Sequence, residues 1–166
     1  MPRLGVGRPV KLPAMSAEGP VLIAYDGSDT ARRAVREAAA LFGSREVLVV
    51  TVWEPALAYE SAMPTAGLEL PPVPVDVEGA REVEEELHER ARGTAQEGAE
   101  LARSEGLDAK GLAVADAIVS AARNRGAAAI VVGSRGLKGL RARLEGSTSK
   151  AVLEHAPCPV LVVHDD

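Results

Sequence analysis

AAAIVVGSRGLKGLRARLEGSTS, residues 127–149, is the stretch on which the interpretation of the whole chain depends. It begins with a short apolar run, 127–132, that is rich in Val and Ile and is stopped by Gly133. This pattern is typical of a strand buried in a sheet. Helical spacing resumes after Gly146. The stretch therefore predicts a strand, a long loop that contains glycines, and a helix.

The loop between that strand and that helix has the composition of a phosphate site. It offers glycines, which allow close approach of a ligand, and hydroxyls at the start of the next helix: Gly133, Gly136, Gly146, Ser147, Thr148 and Ser149. Hydroxyls and first-turn N–H groups can donate to phosphoryl oxygens, and the helix dipole favours the negative charge. The same loop can also be a plain connection with Ser147 as a helix cap. The residues alone leave both interpretations open.

The glycine spacing resembles a known signature. Gly133-x-x-Gly136, followed after nine residues by Gly146-Ser147, is similar to the nucleotide-binding pattern of the universal stress protein family, in its ATP-binding branch. The flanking segments GAAAIVVGSRG, HAPCPVLVV and, near the start, VLIAYDGSDTARRAV resemble that family as well. The resemblance covers most of residues 20–164.

Composition limits the number of domains and the class of partner. The chain has 166 residues, of which 46% are hydrophobic, enough for one compact domain. Residues 1–20 carry Pro and Gly without periodicity, so we expect a disordered tail followed by one domain over 21–166. A net charge of −5 and 2% aromatic residues argue against a nucleic-acid surface, which needs clustered cations and stacking platforms.

The cysteine count and the distribution of apolar residues indicate the cellular compartment. The single cysteine, Cys158, cannot form a disulfide within the chain, and no early segment has the form of a signal peptide. No apolar run is long enough to span a bilayer. We therefore expect a cytoplasmic protein with no membrane segment. Cys158, between two prolines, is either a redox thiol or a passive small residue in a turn.

The first half of the chain predicts a βαβ unit. An apolar run over 21–25 reads as a buried strand, and Asp26-Gly27-Ser28-Asp29 turns it into a helix capped by Ser28 or Asp29 and ended by Gly43. A second buried strand is predicted over 47–52. The segment 54–79, with five prolines, is either part of a lid or a flexible loop.

The second half continues the alternation of helices and strands. It predicts a helix over 77–105 ended by Gly106, a strand over 108–114, a helix from Asp116 as cap to Arg125, a helix over 147–155, and a last strand over Val160–Val163. The fold class is a single-domain α/β protein with an open five-stranded parallel sheet and helices on both faces. The resemblance implies the strand order 3-2-1-4-5 of a Rossmann-like, adenine nucleotide alpha hydrolase-like fold.

Asp26 stands at the carboxyl end of the first strand, where open α/β sheets hold ligands. By itself it is either a ligand or a turn-former bonded to its own backbone. The resemblance implies that Asp26 contacts the ribose of ATP and that the main chain of Val52 reads the adenine edge. The full set of contacts that it implies is Ala24, Tyr25, Asp26, Val52, Val132, Gly133, Gly136, Gly146, Ser147, Thr148 and Ser149.

Other side chains with possible chemistry have plainer explanations. Trp53, the only Trp, either covers the base or packs against neighbours. Glu82, Glu84, Glu85 and Glu86 are typical of a solvated helix face, and the three histidines share no metal spacing. No catalytic residue is predicted, and a metal site stays undefined. ATP is expected to carry Mg²⁺, because a net-acidic protein has few other countercharges.

Three classes of function are consistent with these residues. The first is a stress-response protein that binds ATP as a regulatory ligand with little or slow hydrolysis. The second is an ATP-using enzyme, although neither a Walker loop nor the SGGxDS pattern is present. The third is a nucleotide-free interaction module of the same fold. We also expect a homodimer paired through Val160–Val163, since an apolar edge strand exposes unpaired backbone groups.

Overall fold

Strands and helices alternate along the part of the chain that the structure, a computed structural model, describes: residues 18–55, 77–115, 117–134, 152–153 and 155–164. In chain order the elements are β1 Val21–Ala24, α1 Asp29–Phe42, β2 Glu46–Val52, α2 Val77–Ser104, β3 Asp108–Val114, α3 Ile118–Asn124, β4 Ala129–Gly133 and β5 Val160–Val163. Val152, Leu153 and His155 are helical and precede β5.

The strands form one parallel sheet in the order β3-β2-β1-β4-β5. Val21 of β1 lies beside Val47 of β2 on one side and beside Ala129 of β4 on the other. The direction in which the chain progresses across the sheet therefore reverses between β1 and β4. The predicted fold class and strand order are confirmed.

Helices cover both faces of the sheet. Alternate residues of a strand point to opposite faces, so one strand contributes side chains to two separate cores. Val21 and Ile23 of β1 pack in one core cluster with α1 and α2, whereas Leu22 packs in a second cluster with α3 and Val152. All three β1 side chains have no exposed surface. Strands buried on both faces have continuous apolar sequences, which is why β1 and β4 could be predicted from the sequence.

Helix α1 begins and ends as predicted. The Ser28 hydroxyl accepts a hydrogen bond from the Ala31 N–H at 3.2 Å, so Ser28 and not Asp29 is the cap. Gly43, with a φ of 53°, follows the last turn and donates its N–H to the carbonyl of Ala39. A left-handed φ at this position favours glycine. None of the helices described is long and apolar enough to cross a membrane.

The start of α3 differs from the prediction. Ala117, not Asp116, is the cap residue, and no side chain caps the helix. The Ala117 carbonyl accepts from the N–H groups of Ser120 and Ala121, so the helix begins one residue later than expected. It ends at Asn124 rather than Arg125. Asp116 itself lies outside the described residues.

Strand β4 also begins later than predicted, at Ala129 rather than Ala127. The Ala127 N–H bonds to the carbonyl of Ala122 and so completes the end of α3, while the Ala128 N–H donates to the carbonyl of Pro20 at 2.9 Å. The ladder with β1 therefore starts only at Ala129, opposite Val21.

Candidate functional site

The carboxyl ends of β1 and β4 lie side by side at the reversal point of the sheet. Val21, Leu22 and Ile23 pair with Ala129, Ile130 and Val131. Asp26, two residues after the end of β1, and Gly133, which ends β4, therefore lie at the same edge of the sheet. In open α/β sheets, ligands bind in the crevice outside the carboxyl ends of strands at such a point.

Asp26 is the exposed residue of a tight turn between β1 and α1. Its Oδ1 atom accepts a hydrogen bond from the Ser28 N–H at 3.0 Å. Gly27, with a φ of 78°, takes the left-handed conformation that the turn requires. The turn-forming role is thus present in the structure. It also fixes the direction of a carboxylate that stays accessible to solvent.

Tyr25 contributes its main chain, and not its side chain, to this edge. The Tyr25 N–H donates to the carbonyl of Val50 at 2.9 Å, and the Tyr25 carbonyl accepts from the Thr51 hydroxyl at 2.8 Å. The ring is buried in the first core cluster, and the hydroxyl donates to Glu97 Oε1 at 3.1 Å. Ala24, the residue before it, is half-buried on the opposite face.

Val52 ends β2 and is 39% exposed. The Val50 carbonyl faces β1, and the Trp53 N–H donates to Val114 of β3 at 3.0 Å. Because alternate residues of a strand direct their N–H and carbonyl groups to opposite sides, those of Val52 point to the β1 side. Strand β1 has already ended at Ala24 there, so the main chain of Val52 faces the crevice.

Val132 and Gly133 close the β4 side of the edge. Val132 is 2% exposed and belongs to the second core cluster, so it shapes the site only through its backbone. A Cβ atom at Gly133 would lie 3.0 Å from the carbonyl carbon and side chain of Thr30 in α1. Gly133 has no positive φ. Close packing against α1, rather than backbone conformation, favours glycine at this position.

The phosphate half of the predicted site lies outside the described residues. This holds for Gly136, Gly146, Ser147, Thr148 and Ser149. The structure therefore places six of the predicted residues at one edge of the sheet, at or just after the carboxyl ends of β1, β2 and β4: Ala24, Tyr25, Asp26, Val52, Val132 and Gly133.

Trp53 lies beside the site and packs against a helix. Its ring is 5.2 Å from the ring of His88, tilted by 43°. The two rings, with Arg81, Glu84 and Glu85 of α2, line a cleft of about 570 Å³. This arrangement agrees with the interpretation that Trp53 packs against its neighbours. Within the part of the chain described, no three His, Cys, Asp or Glu residues are grouped to hold a metal ion.

Sequence reasoning missed one polar cluster beneath the turn, formed by Tyr25, Arg32 and Glu97. Glu97 Oε1 accepts from the Tyr25 hydroxyl and from Arg32 Nη2, the latter at 2.7 Å. Burial, and then Glu97, raise the pKa of Tyr25 above its ordinary value of 10.0. A Tyr at the end of an apolar strand signals that a hydroxyl needs a partner. That partner is 72 residues away, which no local pattern reveals.

The topology and the crevice define a doubly wound α/β protein with the edge that ligand-binding members of this class use. The chain belongs to the universal stress protein family, whose model matches residues 19–164.

Relatives of this chain carry the same family name. A universal stress protein of Thermus aquaticus is 37% identical over 145 residues, which are 86% of this chain and 96% of that one. The universal stress protein YxiE of Bacillus subtilis is 30% identical over 149 residues, 86% of this chain and 97% of the relative. The structure of the Archaeoglobus fulgidus universal stress protein in complex with dAMP shares the fold, with a TM-score of 0.52, 24% identity, and coverage of 87% and 97%.

Proposed function

We propose that this protein belongs to the ATP-binding branch of the family and binds ATP as a regulatory ligand across the carboxyl ends of β1 and β4. The observation that carries the proposal is that the Asp26 turn and Gly133 lie at the same edge of the sheet, at the point where the strand order reverses. The Archaeoglobus fulgidus protein is described as a complex with dAMP, so a protein of this fold holds an adenine nucleotide.

The adenine base is assigned to the main chain of Val52. One N–H and one carbonyl facing the crevice complement the Watson–Crick edge of adenine, which offers an amino donor beside a ring acceptor. Guanine reverses this order of donor and acceptor. The direction of the Val52 backbone, deduced from the Val50 and Trp53 hydrogen bonds, supports this assignment.

The ribose is assigned to Asp26 and the triphosphate to the loop 133–149. An exposed carboxylate oriented by the Ser28 N–H suits the two hydroxyls of a ribose, because a charged acceptor forms strong hydrogen bonds. In the loop, Gly136, Gly146, Ser147, Thr148 and Ser149 would hold the phosphates together with Mg²⁺. We expect Gly146 to tolerate no Cβ atom there.

Hydrolysis is expected to be slow. Regulation requires a ligand that stays bound, and binding by backbone and hydroxyl donors offers neither a general base nor a group that positions water. Sustained phosphate release at about 1 s⁻¹ or faster would instead identify an ATP-using enzyme.

Mass spectrometry of the purified, denatured protein tests for nucleotide carried over from the cell. Calorimetry then tests the site: Gly146→Val should abolish ATP binding, whereas Gly93→Ala should leave it unchanged, because Gly93 is exposed on α2 with nothing within 4 Å of an added Cβ. Unchanged affinity in the Gly146 variant would remove the loop from the site. Absence of ATP binding by the wild type would favour the nucleotide-free interaction module.

A homodimer is the second part of the proposal. Strand β5 pairs with β4 and is the last strand of the described sheet, and Val160, Leu161 and Val162 are only half-buried. A two-fold axis would pair β5 with its own copy and satisfy its outer backbone groups. We place this dimer in the cytoplasm.

A further inference from the structure

Glu97 uses a single carboxylate oxygen to contact two residues that are far from it in sequence. Its Oε1 accepts from the Tyr25 hydroxyl at 3.1 Å and from Arg32 Nη2 at 2.7 Å. Tyr25 follows β1, Arg32 is in the first turns of α1, and Glu97 is in α2. The carboxylate of one helix therefore holds the end of a strand and the start of another helix.

Arg32 extends this connection to the turn. Its Nε atom donates to the carbonyl of Gly27 at 3.4 Å, and its own N–H bonds to the Ser28 carbonyl at 2.9 Å. The residue before Asp26 is thus tied to Glu97 directly, and the residue after Asp26 is tied to it through Arg32.

Helix α2 approaches closely enough for these bonds because the next residue is glycine. A Cβ atom at Gly98 would lie 2.7 Å from the ring of Tyr25 and from Val49. The backbone of α2 consequently packs directly on the Tyr25 ring, and Glu97 is held at the level of the turn.

We propose that Glu97 is a positioning residue, which holds Asp26 in the orientation that binds ribose hydroxyls. This inference rests on the proposed function, since Asp26 is the group that would touch the nucleotide. The physical reason is preorganisation: a turn tied on both sides loses less conformational freedom when its carboxylate engages a ligand. The side chains of Arg32 and Glu97 are 43% and 51% exposed. An ion pair with this much exposure to solvent contributes little to stability by itself. Its effect should therefore appear in ligand binding.

The first measurement needs no nucleotide. In Glu97→Ala, the Ser28 amide, which donates to Asp26 Oδ1, should exchange its hydrogen about fivefold faster, the change expected for one net hydrogen bond. Glu97→Gln keeps an oxygen acceptor and should restore most of the protection. Glu100→Ala is the matched control, because Glu100 lies on the same helix and bonds to Gln96.

The second measurement asks whether Glu97 acts through Asp26. Glu97→Ala should weaken ATP binding about fivefold, but it should have no effect on 2′,3′-dideoxy-ATP, which lacks the ribose hydroxyls. It should also have no effect on ATP binding in the Asp26→Ala background, because the contact that it positions is already gone.

The outcomes separate the inference from the proposed function. If Ser28 exchange is unchanged in Glu97→Ala, Glu97 does not hold the turn and the inference is overturned, whether or not ATP binds. An equal loss of affinity for ATP and dideoxy-ATP would overturn it too. If the wild type binds no ATP, the proposed function fails, and Ser28 exchange alone decides whether Glu97 anchors the turn.

Discussion

Gly133 at the end of β4 packs directly against Thr30 in the first turn of α1. A Cβ atom at position 133 would lie 3.0 Å from three Thr30 atoms, one of them in the backbone. Thr30 has no exposed surface, so it has little freedom to move away. This contact sets the distance between the turn that presents Asp26 and the strand that leads into the loop 133–149.

Gly133→Val should therefore destabilise the fold. Overpacking of a filled core typically costs about 1–3 kcal/mol, and we expect a decrease in the free energy of unfolding in that range, measured by urea denaturation. A Gly133→Val protein as stable as the wild type would mean that α1 and β4 are not in close contact.

Two glycines of α2 should respond to alanine with opposite signs. Gly98→Ala places a Cβ atom 2.7 Å from the Tyr25 ring and Val49 and should lower the free energy of unfolding by about 1–3 kcal/mol. Gly93→Ala meets nothing within 4 Å and should raise it by about 0.5–1 kcal/mol, because alanine favours the helix. The same sign for both variants would contradict the packing of α2 on Tyr25.

The pKa of Tyr25 predicts a stability change at alkaline pH. Burial and Glu97 raise this pKa above 10.0, so the folded protein holds the phenolic proton more tightly than the unfolded chain does. The resulting stabilisation is complete below the unfolded pKa and is lost as the pH rises through the folded pKa. Tyr25→Phe cannot ionise, so the stability advantage of the wild type over this variant should shrink above about pH 10.

The pKa of Tyr25 can also be measured directly by titration. Glu97→Gln should move the pKa of Tyr25 toward its ordinary value, since the carboxylate is one of the groups that raise it, whereas Glu100→Gln should not. Ultraviolet absorbance of tyrosinate measures the change, and Tyr25→Phe assigns the signal. Equal titration curves for the wild type and Glu97→Gln would argue against the Tyr25–Glu97 hydrogen bond.

Much of this fold was predictable because the central strands β1, β2 and β4 are mainly apolar on both faces and several turns carry glycine. The bounds of β3 and β5 agree with the prediction, and Ser28 caps α1 as one of two candidates. The predicted start of α3 was wrong. Asp is a favoured cap residue, which pointed to Asp116, but the actual cap is Ala117 and no side chain caps the helix. The role of Gly133 and the partner of Tyr25 were not predictable, since both depend on contacts between elements far apart in sequence.

The proposed dimer predicts a specific effect at β5. Val162→Pro removes a backbone donor from the edge strand, and it should shift a dimer toward monomer in light scattering. Leu153→Ala, which changes an exposed side chain that is not in β5, is the control. A wild-type protein that stays monomeric at high micromolar concentration would contradict pairing through Val160–Val163.

Equilibrium dialysis of labelled ATP in the presence of Mg²⁺ tests the central claim most directly, which is that the Asp26 turn and the end of β4 form one nucleotide site. The wild type should show a single saturable site, and Asp26→Ala should bind at least about tenfold more weakly, the effect of losing a hydrogen bond to a charged acceptor. No saturable binding by the wild type at millimolar ATP, or equal affinity in Asp26→Ala, would contradict the account.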